Sequence, residues 1–136
     1  MESSAGSGVQ APLYVAFDGG SGTCVHAREK AAAFLATLAS ARRDEAVGEV
    51  LLVVSELVTN AVRHAPGPVV LALNAGAGSV RITVRDTSTA LPAPRAPDLV
   101  GGTGGFGWPT IIQRLAADVS VVPHPDGKEI HAVLPW

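Results

Sequence analysis

Glu56 and Asn60 stand four residues apart in SELVTNAVRH, so on a helix a carboxylate and a carboxamide stack on one face, with His64 one turn further on. A carboxylate can take a proton from a hydroxyl or a water, and an amide oxygen is a hard ligand of the kind a small divalent cation accepts. An isolated Glu-x-x-x-Asn is by itself an ordinary solvated helix edge. Two features downstream give it company. Asp86 closes an apolar strand and is followed by Thr87 and Ser88, and the run GGTGGFG, Gly101 to Gly107, leads into a helix start. Glycines before a helix leave backbone amides free to approach phosphate oxygens, and the helix dipole adds positive potential there. A nucleotide site is the natural suggestion.

The form of that site is narrowed by what is missing. Gly102, Gly104 and Gly107 formally match G-x-G-x-x-G. A proline-rich loop precedes them rather than a strand, and too little chain follows for the repeated strand and helix units of a dinucleotide fold. An oxidoreductase is therefore the weakest of the nucleotide readings. Neither Lys30 nor Lys128 completes a Walker sequence, and no G-x-S-x-G elbow marks a serine hydrolase. His26, His124 and His131 lack metal-ligand spacing and read as solvated or structural. Asp18 and Ser21 lack a catalytic partner pattern, and Trp108 and Trp136 read as packing residues.

The elements that must position these groups follow from periodicity. Leu13 to Phe17 reads as a strand stopped by Asp18, Gly19, Gly20, Ser21 and Gly22. Thr23 can cap a first helix, Val25 to Ser40, with Phe34, Leu35 and Leu38 at helical spacing. Asp44 can cap a second and longer helix, with Glu45 and Glu49 near its positive end. In it Val47, Val50, Leu51, Val54, Leu57, Val58 and Ala61 form a broad apolar stripe, and Glu56 and Asn60 lie off the centre of that stripe. Pro66, Gly67 and Pro68 end it. Val69 to Leu73 and Val80 to Arg85 read as a hairpin joined through Asn74 to Ser79. Thr87 to Val100, with three prolines and no periodicity, reads as a lid or a disordered loop. A third helix spans Trp108 to Ala117, entered around Pro109. Val119 to Val122 and Ile130 to Leu134 close as a second hairpin through Pro125, Asp126 and Gly127. This order predicts an α+β two-layer sandwich, a mixed and mainly antiparallel sheet with about three helices on one face.

At 136 residues with 47% hydrophobic side chains, the chain has the size of one domain with one core, expected over residues 11–136 behind a mobile Ser- and Gly-rich tail, residues 1–10. The net charge of -2 and scattered Lys and Arg argue against nucleic acid or an acidic membrane as partner. Apolar runs too short for a bilayer and an amino terminus without signal-peptide features predict a cytoplasmic protein. The single Cys24 reads as a small packing residue.

Taken together, the helix with Glu56 and Asn60, the strand ending in Asp86 and the glycine run before a helix resemble, in this order, the GHKL superfamily of ATP-binding domains, the Bergerat fold. Within it the chain resembles the bacterial anti-sigma factor serine kinases, from about Phe17 to Trp136. SELVTNAVRHA is similar to the family's N box, DTS at Asp86 to Ser88 to its first glycine box, and GGTGGFGWPTIIQRLA to its second; Ser88 stands where the family carries glycine. The resemblance implies that Glu56 is the general base toward a seryl hydroxyl or water, and that Asn60 gives its amide oxygen to Mg²⁺. Asp86 would accept a hydrogen bond from the adenine amino group beside Ser88. Gly102, Thr103, Gly104, Gly105, Phe106 and Gly107 would fold over the phosphates of ATP, where Arg63 and His64 could add charge. It further implies a homodimer that holds a sigma factor and phosphorylates a serine or threonine of an anti-sigma antagonist protein. The alternative is a catalytically inactive module that binds ATP or only a protein partner.

Overall fold

The computed structural model describes residues 11–38, 44–65, 67–76, 78–89 and 110–136. Along the chain run β1 (Leu13–Phe17), α1 (Thr23–Ala36), α2 (Asp44–His64), β2 (Val69–Gly76), β3 (Ser79–Asp86), α3 (Thr110–Leu115), β4 (Asp118–His124) and β5 (Gly127–Pro135). The order of elements is the one that periodicity predicts. The strands form one sheet in the order β1-β2-β3-β5-β4, antiparallel in every described pairing. The helices form the second layer, an α+β sandwich.

The core lies between α2 and the sheet. Val50, Val53, Val54, Leu57, Val58 and Ala61 bury one face of α2, facing Leu71, Leu73, Val80, Ile82, Val84, Ile130, Ala132 and Leu134 from the strands. On β3 the alternation of buried Val80, Ile82, Val84 and Asp86 with Arg81, Thr83 and Arg85 follows the two-residue period of a strand. Asp86 therefore projects to the helix side, in step with three core residues. Burying each of these Leu and Ile side chains contributes about 1.5–3 kcal/mol. On α1 the buried face is Ala27, Ala31, Phe34 and Leu35, at i, i+4, i+7 and i+8. Its small alanines let the backbone come close to α2.

Boundaries differ from the sequence expectation where hydrogen bonds decide them. Thr23 is the first helical residue of α1 and not its cap; Gly22 holds the cap position without a side-chain bond. The helix ends at Ala36 and not at Ser40, because the Thr37 hydroxyl donates to the Phe34 carbonyl (2.6 Å) and competes with the helical ladder. Asp44 likewise stands inside the first turn of α2. The strands are longer than their apolar runs: Asn74, Ala75 and Gly76 pair with Arg81, Val80 and Ser79, since the ladder is made by backbone groups whatever the side chain. The end of α3 is fixed similarly, as Ala116 N still donates to Ile112 O but Ala117 N has turned to Val133 O of β5. The predicted lid and the entry to the third helix at Trp108 and Pro109 lie outside the described residues.

The β1–α1 turn needs glycine. Gly19, between β1 and α1, has φ 85°, and a Cβ there would come within 2.0 Å of the Gly67 carbonyl oxygen. This contact ties the β1–α1 turn to the turn that joins α2 to β2.

Candidate nucleotide site

The connections of α2 determine where its polar residues lie. Its last turn runs through Ala65 and Gly67 directly into β2, and Val70 of β2 pairs with Arg85 of β3. The carboxyl end of α2 and the carboxyl end of β3 thus share one end of the sandwich, where a Cβ on Gly67 would lie 3.3 Å from the Thr87 hydroxyl. The flank of α2 toward α1 is occupied: Arg28 donates to the Ser55 hydroxyl (2.9 Å), which donates in turn to the Leu51 carbonyl (3.0 Å). Cys24 Sγ lies 3.3 Å from Thr59 Oγ1. At about 100° per residue the helix carries Glu56 and Asn60 round to the opposite flank. Both are half-buried. Among the described residues neither side chain is engaged in a hydrogen bond or ion pair. A carboxylate and an amide without partners among the described residues, at the rim of an apolar layer, are placed to bind a ligand. The amide oxygen of Asn60 fits the donor set of a Mg²⁺ carried in by phosphates.

Asp86 is differently placed. Its carboxylate is buried and is closed by Lys128 of β5, whose Nζ donates to Oδ1 and Oδ2 at 3.0 Å each. The amide of Ser88 also donates to Oδ1 (2.9 Å). Asp86 and Lys128 are directly opposed across the β3–β5 ladder, on the helix side of the sheet. Gly127 permits the close approach, because a Cβ there would meet the Asp86 carbonyl oxygen at 2.0 Å. A carboxylate has about four acceptor positions. Among the described residues three are taken, which leaves one on Oδ2.

Lys128 is the residue that sequence reasoning left without a role. A signal existed in principle, since registering the last hairpin against β3 sets Lys128 opposite Asp86, but that register depends on β5 starting at Gly127 and not at Ile130. Ser88 contributes its backbone amide to the Asp86 carboxylate. Arg63 and His64 are exposed on the last turn of α2. Gly102, Thr103, Gly104, Gly105, Phe106 and Gly107 lie outside the described residues.

The histidines of the last hairpin have structural surroundings. On the face of the sheet away from the helices, His131 Nε2 hydrogen-bonds with Glu129 Oε1 (3.0 Å) and its Nδ1 with the Thr83 hydroxyl (3.1 Å). His124 Nε2 stands 3.2 Å from Glu129 Oε2 without hydrogen-bond alignment. Among the described residues no group of three or more His, Cys, Asp or Glu side chains is arranged to hold a metal ion. A cavity of about 360 Å³ lies under the β1–α1 turn, lined by Phe17, Asp18, Ser21, Thr23 and His26 among others. It includes none of Glu56, Asn60 and Asp86, and its Asp18 carboxylate is engaged with the Gly20 amide (2.7 Å). Among the described residues no helix is long and apolar enough to cross a membrane.

Comparison with known proteins adds independent findings. No curated protein matches the chain. The crystal structure of the RsbU and RsbW domains of Rv1364c from Mycobacterium tuberculosis is similar in fold, with a TM-score of 0.66 at 19% identity. That match covers 93% of this chain and 33% of that one, so the present chain spans about a third of its neighbour. The model of the histidine kinase-like ATPase domain matches residues 21–134, from the turn before α1 to the end of β5. With the α+β sandwich, the half-buried Glu56 and Asn60 and the acid at the end of β3, this match establishes that the chain belongs to the family of histidine kinase-like ATPase domains.

Proposed function

We propose that this protein is an ATP-binding regulator of the anti-sigma factor kinase type, which transfers the γ-phosphate of ATP to a serine or threonine of an anti-sigma antagonist and sequesters a sigma factor. The observation that carries the proposal is the pairing of Glu56 and Asn60, one turn apart and without partners among the described residues on a half-buried flank of α2, within a domain of an ATP-binding family. Asn60 would hold Mg²⁺, which neutralises charge developing on the phosphates when bound. Glu56 would accept the proton of the attacking hydroxyl. Asp86 would take the adenine amino group on its remaining lone pair. Gly102 to Gly107 would contribute backbone amides to the phosphates. A homodimer and a cytoplasmic location accompany this reading.

Calorimetric titration of the full chain with ATP and Mg²⁺ is the first test, followed by transfer of labelled phosphate to a candidate antagonist. Glu56→Ala should retain nucleotide binding and lose transfer by at least about 100-fold, the scale of a removed general base. Transfer at the parent rate by that variant would remove Glu56 from the chemistry. Light scattering of the purified chain tests the dimer.

The Lys128 ion pair favours a second reading, in which the domain binds a protein partner and no nucleotide. A base-reading carboxylate already bonded to a buried ammonium is well satisfied without a ligand. Titration that finds no heat with ATP would decide for this reading.

A further inference from the structure

We infer that Lys128 is a base-reading residue, donating its third ammonium proton to N1 of adenine while Asp86 accepts from the adenine amino group. The inference rests on the nucleotide reading above. An ammonium has three donors and no acceptor. Asp86 takes at most two of them, through Oδ1 and Oδ2. Lys128 is 6% exposed, so water reaches it poorly, and among the described residues the third proton has no partner. A buried ammonium with an unused donor beside a carboxylate with one unused acceptor position is a paired donor and acceptor at the helix side of the sheet end. The exposed edge of adenine carries the complement in adjacent positions, a donor on the amino nitrogen and an acceptor at N1.

The register explains why the two groups act together. Asp86 and Lys128 face each other across one rung of the β3–β5 ladder, and Gly127 holds the strands close at that rung. A purely structural ion pair would stabilise the fold and be indifferent to the atom at position 1 of the base. A base-reading pair would not. In the same pose guanine would set its O6 acceptor against the Asp86 carboxylate and its N1 hydrogen against the Lys128 ammonium, two mismatched contacts, so GTP is the competitor that matters.

The test is titration of the full chain with ATP, 1-deaza-ATP and GTP, each with Mg²⁺. In 1-deaza-ATP a carbon replaces N1 and the amino group is kept. The parent protein should bind ATP at least about tenfold more tightly than 1-deaza-ATP, the loss expected when a buried charged donor is left unpaired. GTP should bind more weakly than ATP. In Lys128→Met, with folding checked by circular dichroism, the preference for ATP over 1-deaza-ATP should collapse to within about twofold. The parent comparison needs no variant and stands even if Lys128→Met does not fold. Equal affinity of the parent for ATP and 1-deaza-ATP overturns the inference and leaves the nucleotide reading intact. Tighter binding of GTP also overturns it. Absence of binding to any of the three removes the nucleotide reading and this inference with it.

Discussion

Removing Lys128 while keeping Asp86 would strand a carboxylate among Val84, Ile130 and the other apolar residues of the layer. Breaking such a pair from one side costs about 3–5 kcal/mol, whereas replacing both partners with apolar groups is often close to neutral. We therefore expect Lys128→Met to be far more destabilising in urea unfolding than the double variant Asp86→Leu with Lys128→Met. Equal losses would mean that the charge itself is not what the fold has to satisfy. The ion pair between Arg85 and Asp126 gives the contrast. Its side chains are 40% and 79% exposed, so water screens the attraction, and Asp126→Ala should change stability by less than about 1 kcal/mol.

Among the elements, α2 carries both the core and the polar flank, and these two roles separate by position on the helix. Leu57 is fully buried one residue beyond Glu56. Leu57→Ala should cost about 2–5 kcal/mol through lost transfer energy and the cavity left behind. Glu56→Gln should leave unfolding nearly unchanged, because the side chain has no described partner to lose. A large loss of stability in Glu56→Gln would show that the carboxylate supports the fold. The turn between β1 and α1 gives a backbone counterpart. Gly19→Ala would force an alanine into positive φ and against the Gly67 carbonyl, and should destabilise by about 1–3 kcal/mol. Gly48, on α2 with nothing near its Cβ position, is the control. Gly48→Ala should stabilise by about 0.5–1 kcal/mol from helix propensity.

For the whole molecule, a ligand that binds only the folded state stabilises it by mass action. ATP with Mg²⁺ at 100 times its dissociation constant should add about 2.7 kcal/mol of unfolding free energy. Asn60→Ala should lose the part of that gain that depends on Mg²⁺, which thermal unfolding in Mg²⁺ and in chelator reads directly. The same gain in both media would remove Asn60 from metal binding.

The spacing of Val50, Val54, Leu57, Val58 and Ala61 made α2 legible, since a 3.6-residue period in apolar side chains has few other solutions. The alternation of Val80, Ile82 and Val84 did the same for β3 and set the parity that turns Asp86 toward the helices. Family motifs around Glu56, Asn60 and Asp86 then made the ATP-binding class legible. Element ends were less so: Thr37 shortens α1 and backbone pairing lengthens β2 and β5, and both depend on hydrogen bonds that a hydropathy pattern does not encode. What the sequence by itself determined was the order of elements and the side of each that is buried, because those depend on local periodicity. The partnership of Asp86 with Lys128, 42 residues away in the chain, was decided only in three dimensions. It requires the last hairpin to dock on β3 in one register, and that register is selected by the packing of Ile130, Ala132 and Leu134 into the core.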